Sequence, residues 1–152
     1  MSRYELVSHW HLNAPIGAVW DALCDVASWP QWWSYVLDVE ELQRGDAAGI
    51  GALRRITWGS ALPYQLTFTM QTTVLQRPHL LEVIAEGDLN GFGRWTLNEL
   101  GAATEVRYYS EVTTARAWMN VMSPLLGPMF RWNHGQVMAD GQQGLARYLA
   151  GR

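Results

Sequence analysis

The sequence predicts an α+β domain in which a curved antiparallel sheet wraps around one long C-terminal helix. Three observations carry this. The stretch from Arg116 to Ala150 holds the only long amphipathic pattern, residues 35–113 break into strand-like segments between turn signals, and one of those segments is too long to lie flat. At about 100° per residue from Phe130, the apolar Val137, Gly141, Gly144, Leu145, Tyr148 and Leu149 fall between about 320° and about 100°. Gln136, Asp140, Gln142, Gln143 and Arg147 fall outside that arc. The spacing therefore predicts a helix from about Pro128 to Leu149 whose stripe needs a partner surface, and residues 129–149 at 1.5 Å each make a rod of about 31 Å.

The elements upstream supply that surface. From Tyr4 to Leu12 the chain alternates, with Leu6, Ser8, Trp10 and Leu12 on one face, as a half-buried strand does. Asn13 and Pro15 then read as a cap and a first helical turn, and Ile16, Val19, Trp20 and Leu23 follow at helical spacing to about Asp25. Ser28, before Trp29-Pro30-Gln31-Trp32-Trp33, reads as the cap of a second, shorter helix. Turn signals at Gly45-Asp46, Gly59 to Pro63, Arg77-Pro78, Gly87 to Gly91 and Gly101-Ala102 then separate six strands. The segment from Tyr64 to Arg77 would reach about 46 Å if straight, so the sheet must bend. Its Tyr64, Leu66, Phe68, Met70 and Val74 share the concave face, and the same parity turns Trp95, Leu97, Val106, Tyr108, Ser110 and Val112 inward.

Composition bounds the function. A chain of 152 residues with 49% apolar content is the size of one domain, residues 1–152, with a substantial core. Its formal charge is -3 and its basic residues do not cluster, which argues against nucleic acid as a partner. No apolar run nears the roughly 20 residues that span a bilayer, so no stable membrane insertion is expected. The lone Cys24 and an opening MSRYELVSHW without the layout of a signal peptide lead to the expectation of a cytoplasmic protein. Nine Trp and six Met are an excess of large, soft side chains suited to irregular cores and adaptable pockets.

The run Leu12-Asn13-Ala14-Pro15 with Val19-Trp20, then Asp25, Trp29 and Trp32, Gly49 and Gly51, Gly87-Asp88 and the closing helix resemble the START-like (SRPBCC) superfamily. Within it, the chain is similar to the bacterial polyketide cyclase/dehydrase and lipid-transport group. The resemblance spans nearly the whole chain and rests more on element order than on any one motif. It implies a helix-grip fold, a seven-stranded antiparallel sheet curled around the C-terminal helix with a cavity for an apolar small molecule. Carriers, receptors and some enzymes share that fold, so it constrains architecture more than activity.

His134 stands at about 40°, inside the apolar arc, where burial would favour the neutral imidazole. It reads either as a polar anchor or general base in a pocket, or as a core histidine bonded to a strand carbonyl or to Tyr108. Asn133, on the flank, would orient it or pack beside it. Arg54 shares parity with Ile56 and Trp58 and, facing inward, would meet a carboxylate or phenolate of a ligand; the alternatives are that Arg55 takes this place in the other register, or that the arginine is a solvated edge residue or ion-paired with Glu82 or Glu86. Arg94 has the opposite parity to Trp95 and belongs outside. His9 and His11 lack a third ligand at a recognised spacing, so no metal is expected. Cys24, on the apolar side of the first helix, reads as inert packing. No nucleophile elbow, phosphate loop or dinucleotide fingerprint is present, and no cofactor is expected.

The stretch from Trp118 to Pro128, apolar and broken by two prolines, is not expected to form one smooth helix. It reads as a lid over the cavity mouth or as a packed loop. The residues expected to line the cavity are Trp10, Arg54, Ile56, Trp58, Tyr64, Leu66, Phe68, Met70, Trp95, Tyr108, Ser110, Phe130, His134, Val137 and Met138. A hydrophobic, ring-containing small molecule is the expected partner. Binding or transport of it takes precedence over a cyclase or dehydratase using His134 and Tyr108, and over a protein-interaction module.

Overall fold

The computed structural model describes residues 3–114 and 123–151. Strand β1 (Arg3–Leu12) is followed by helix α1 (Ile16–Cys24), a 3-10 turn (Val26–Ser28) and helix α2 (Trp29–Trp32). Strands β2 (Val36–Gln43), β3 (Leu53–Trp58), β4 (Leu66–Gln76), β5 (Leu80–Gly87), β6 (Leu89–Leu100) and β7 (Ala103–Thr114) precede helix α3 (Ser123–Ala150). The seven strands form one antiparallel sheet in the order β1-β7-β6-β5-β4-β3-β2, so the first strand closes on the last and the rest follow as a meander. This is the α+β helix-grip architecture expected from the element order. Among the described residues no helix is long and apolar enough to cross a membrane.

Alternation on β1 buries Tyr4, Leu6, Trp10 and Leu12 and leaves Glu5, Val7, His9 and His11 exposed. On β4 the inward set holds only up to Thr72. A bulge between Thr72 and Val74 reverses the parity, so Leu75, opposite Leu81, packs on the core, while Val74 lies opposite Glu82 on the outer face. Val74 was expected on the concave side; the extra residue at Thr73 turns it away and supplies part of the bend that the strand length demanded. A second difference concerns Gly87 to Gly91, expected as a turn. The hairpin closes at Asp88 and β6 begins at Leu89, with Gly91 at φ 153° inside the strand. A side chain there would overlap the carbonyl of Glu111 on β7.

Helix caps also differ from expectation. Asn13 does not cap α1: Pro15 occupies the N-cap, and the Asn13 amide oxygen lies 3.1 Å from His11 Nε2 instead. Ser28 is the N-cap of α2, but its hydroxyl donates to the Asp25 carbonyl at 2.7 Å. The 3-10 turn runs straight into α2, so Ser28 has helical backbone angles and its hydroxyl bonds backwards.

The C-terminal helix begins about a turn and a half before the expected Pro128. Residues 118–122 of the segment read as a lid or packed loop lie outside the described residues; 123–128 are helical, including both prolines. Pro124 is in the first turn, where amide protons lack intrahelical acceptors, and Pro128 forfeits a single bond. The phase of α3 is the one the sequence predicts: Phe130, Val137, Met138 and Leu145 are buried, Gln136 and Gln143 exposed. Trp33 Nε1 donates to the Val137 carbonyl at 2.8 Å, and Asp140 Oδ2 accepts from the Ser34 amide and hydroxyl at 3.0 and 2.7 Å.

Candidate ligand cavity

Two close contacts, one with α2 and the residue after it and one with β1, hold α3 over the sheet and leave a space between them. Toward its C-terminal end, a methyl group at Gly141 would come within 2.5 Å of the Trp33 ring, and one at Gly144 would overlap the Trp32 carbonyl. Toward the other end Phe130 stacks on Tyr4 with ring centroids 4.5 Å apart. Between these points α3 presents Asn133, His134, Val137 and Met138 to a cavity whose opposite wall is the concave sheet. The cavity has a volume of about 110 Å³.

Of the residues expected to line it, the structure brings together Trp58, Leu66, Phe68, Met70, Trp95, Tyr108, Ser110, Phe130, His134, Val137 and Met138. Trp10 stands behind this wall, 2% exposed, with its ring 5.4 Å from Trp33 and 5.3 Å from Trp95. Ile56 is wholly enclosed in the core. Tyr64 precedes β4 and packs on the smaller cluster around Tyr4, Leu66 and Phe130; its hydroxyl accepts from Asn133 Nδ2 at 3.2 Å. Arg54 faces inward but toward a different cavity.

Sequence reasoning missed Trp29 and Trp33, which were read only as part of a helix. Both line the cavity, and with Trp10, Trp32, Trp58 and Trp95 they form one contiguous body of indoles. The available signal was the density of Trp in a helix too short to need so many. Gly93 was also missed: a methyl group there would lie 2.8 Å from the Tyr108 hydroxyl, so the glycine makes room for that phenol.

The polar groups come from both walls, Tyr108 and Ser110 from β7 and Asn133 and His134 from α3. The Tyr108 ring packs 4.2 Å from Trp95 and 6.2 Å from His134, nearly parallel to the imidazole. Burial pushes the Tyr108 phenol up to about 12, partly opposed by its hydrogen bond with Ser110. Burial pushes His134 down to about 4, so the imidazole is neutral near pH 7. Among the described residues neither imidazole nitrogen makes a hydrogen bond, in contrast to the core-histidine reading. Asn133 does not orient His134. Its amide oxygen accepts from the Ala61 amide at 2.8 Å, and with the Tyr64 contact this ties the β3–β4 loop to α3.

The second cavity is lined by Cys24, Arg54 and Thr72 among mainly apolar side chains, and also has a volume of about 110 Å³. The Cys24 thiol is pushed up to about 11 by burial and then by the Asp21 charge, which fits inert packing. Arg54 has no ion pair with Glu82 or Glu86; Glu82 is engaged by Arg94 at 2.7 Å on the outer face, as expected for Arg94. Among the described residues no group of three or more His, Cys, Asp or Glu is placed to hold a metal ion.

A model of the polyketide cyclase/dehydrase and lipid transport family matches residues 12–140. No curated protein matches the chain. The fold is similar to the solved Zhui aromatase/cyclase from Streptomyces sp. R1128, with a TM-score of 0.80 and 15% identity over 98% of this chain and 94% of that one. It is similar to a START superfamily protein from Mycobacterium smegmatis, at a TM-score of 0.79 and 13% identity over 97% of both chains. It also matches the di-domain ARO/CYC BexL, at a TM-score of 0.76 and 15% identity, covering 99% of this chain and 51% of that one.

Proposed function

Because the chain belongs to the polyketide cyclase/dehydrase and lipid transport family, we propose that it binds a hydrophobic, ring-containing small molecule between the sheet and α3. The observation that carries this is the cavity wall: Trp29, Trp33, Trp58, Phe68 and Trp95 present ring faces and edges, while the polar groups are confined to Tyr108, Ser110, Asn133 and His134. Such a wall holds a ligand by contact area, and a few polar atoms set its orientation. The neutral imidazole of His134 has one donor and one acceptor nitrogen to offer a carbonyl or hydroxyl of the ligand.

A second reading, an acid-base cyclase or dehydratase, is favoured by the placing of His134 and Tyr108 rings 6.2 Å apart in one cavity, and by the aromatase/cyclase activity named for the Streptomyces protein. Their protonation argues against it. General acid-base catalysis works best with a pKa near the working pH, and burial moves the imidazole down to about 4 and the phenol up to about 12. In the cavity as it stands, the first is a weak base and the second a weak acid.

Native mass spectrometry of the protein purified from cells, followed by extraction and incubation with polycyclic aromatic compounds, separates the readings. Binding leads us to expect bound compounds recovered with unchanged mass. Recovery in cyclised or dehydrated form, with the rate abolished by His134→Phe, would establish the enzyme instead.

A further inference from the structure

Arg54 is the one inward-facing cation placed above that has no described partner. Of the other arginines of the sheet, Arg55 pairs with Glu40, Arg94 with Glu82 and Arg3 with Glu111, while Arg107 is exposed to solvent and lies over the Tyr109 ring. Arg77, after β4, is matched with Asp21. Arg54 lies on the inward parity of β3, opposite Met70, and lines the second cavity. Cys24 lines the same cavity. Glu41 faces Arg54 in the β2–β3 register but is exposed and forms no ion pair with it.

Beside Arg54 stands Thr72, 6% exposed, whose hydroxyl makes no hydrogen bond among the described residues and which lines the same cavity. The Cys24 thiol, held protonated by its raised pKa, does not repel an anion. A half-buried guanidinium without a counter-ion carries a desolvation cost that a carboxylate, gripped through two parallel N–H donors, offsets.

This cavity is not isolated. Trp29, Met70, Val83 and Trp95 line both cavities and so form a shared wall. Trp29 is fixed by its indole bond to the Leu23 carbonyl at 3.2 Å and Trp95 by its packing on Tyr108 and Trp10. Met70, unbranched and with three rotatable bonds, is the part of the wall that can move.

We propose that Arg54 and Thr72 form a carboxylate-binding subsite that joins the main cavity when Met70 swings aside. The preferred ligand is then an acid, its rings against the indoles and its carboxylate on the Arg54 guanidinium, with the Thr72 hydroxyl as a further donor. The source of the carboxylate, though not the subsite, rests on the reading of the main cavity as a ring-binding site.

The test compares 4-(2-naphthyl)butanoic acid with its neutral primary amide in the native protein, Arg54→Met and Thr72→Val, with thermal melts to confirm folding. The acid should bind at least about tenfold more tightly than the amide, a charge-assisted contact being worth that much or more. The preference should vanish in Arg54→Met and shrink in Thr72→Val. A second arm uses Cys24, the sole cysteine, as a reporter: benzoate, but not benzamide, should slow its reaction with methyl methanethiosulfonate, and Arg54→Met should abolish the protection. Protection by benzoate without a preference for the long acid would keep the anion subsite and overturn its link to the main cavity. An amide that fails to bind would sink the ring-binding reading and leave benzoate to decide the subsite. Absence of any Arg54-dependent effect of charge in both arms would overturn the proposal.

Discussion

His134 concentrates the residue-scale argument, because the same burial that makes it a ligand anchor also couples folding to pH. Its folded pKa of about 4 lies below the ordinary value of 6.5, so between those values the unfolded chain binds more protons than the folded one. Stability is therefore full above about pH 6.5 and declines as pH falls toward 4, by up to about 3 kcal/mol once the unfolded-state proton is fully bound. Denaturant melts from pH 7 to 4 should show this slope, and His134→Phe should remove the part due to this residue. At neutral pH the same variant should stay folded and change ligand affinity, since no described group loses a hydrogen bond to the imidazole. A loss of several kcal/mol at pH 7 would mark the histidine as structural. Much at this scale was legible: the helical wheel put His134 in the apolar arc, and strand parity turned Tyr108, Ser110 and Arg54 inward. Which cavity Arg54 meets was not, because parity gives the face of a strand and not the position of the indoles that divide the space behind it.

At the scale of the element, α3 was read in the correct phase, and two of its glycines fell in the buried stripe without an evident reason. The structure supplies one: Gly141 and Gly144 bring the helix axis close to Trp33 and to the Trp32 backbone. Gly144→Ala drives a methyl group into a backbone carbonyl that cannot rotate away, so a loss of about 1–3 kcal/mol or more is expected in a thermal or denaturant melt. Gly135, exposed on the same helix with open space where its methyl would go, provides the control. Gly135→Ala should stabilise by about 0.5–1 kcal/mol through helix propensity. Equal effects from the two substitutions would mean that close approach does not position α3. The bulge in β4 was not legible. Thr72, Thr73, Val74 and Leu75 fit either parity, and only pairing with β5 decides that Leu75 turns inward. The early start of α3 was hidden by its prolines, whose cost depends on their place in the first turns.

The whole molecule was legible from element order, since one strand, two short helices, six strands and a long amphipathic helix leave few ways to bury every apolar face. Ligand identity was not, because a wall made mostly of indoles, phenyl groups and aliphatic side chains constrains shape and polarity more than chemical detail. Occupancy should nonetheless register in stability. A ligand at about 100 times its dissociation constant adds about 2.7 kcal/mol, which for a domain of this size is a rise of several degrees in melting temperature. The claim on which the rest depends is that binding takes place in the space between sheet and α3. Its most direct test is a tryptophan-fluorescence titration with polycyclic aromatic compounds, comparing the native protein with Ala85→Phe, which fills the cavity from a buried position on β5. Trp29, Trp33, Trp58 and Trp95 line the cavity, so the expected result is saturable quenching with one site per chain, lost in an Ala85→Phe variant that still melts cooperatively. Undiminished quenching in that folded variant, or no saturable quenching of the native protein by any such compound, would contradict it.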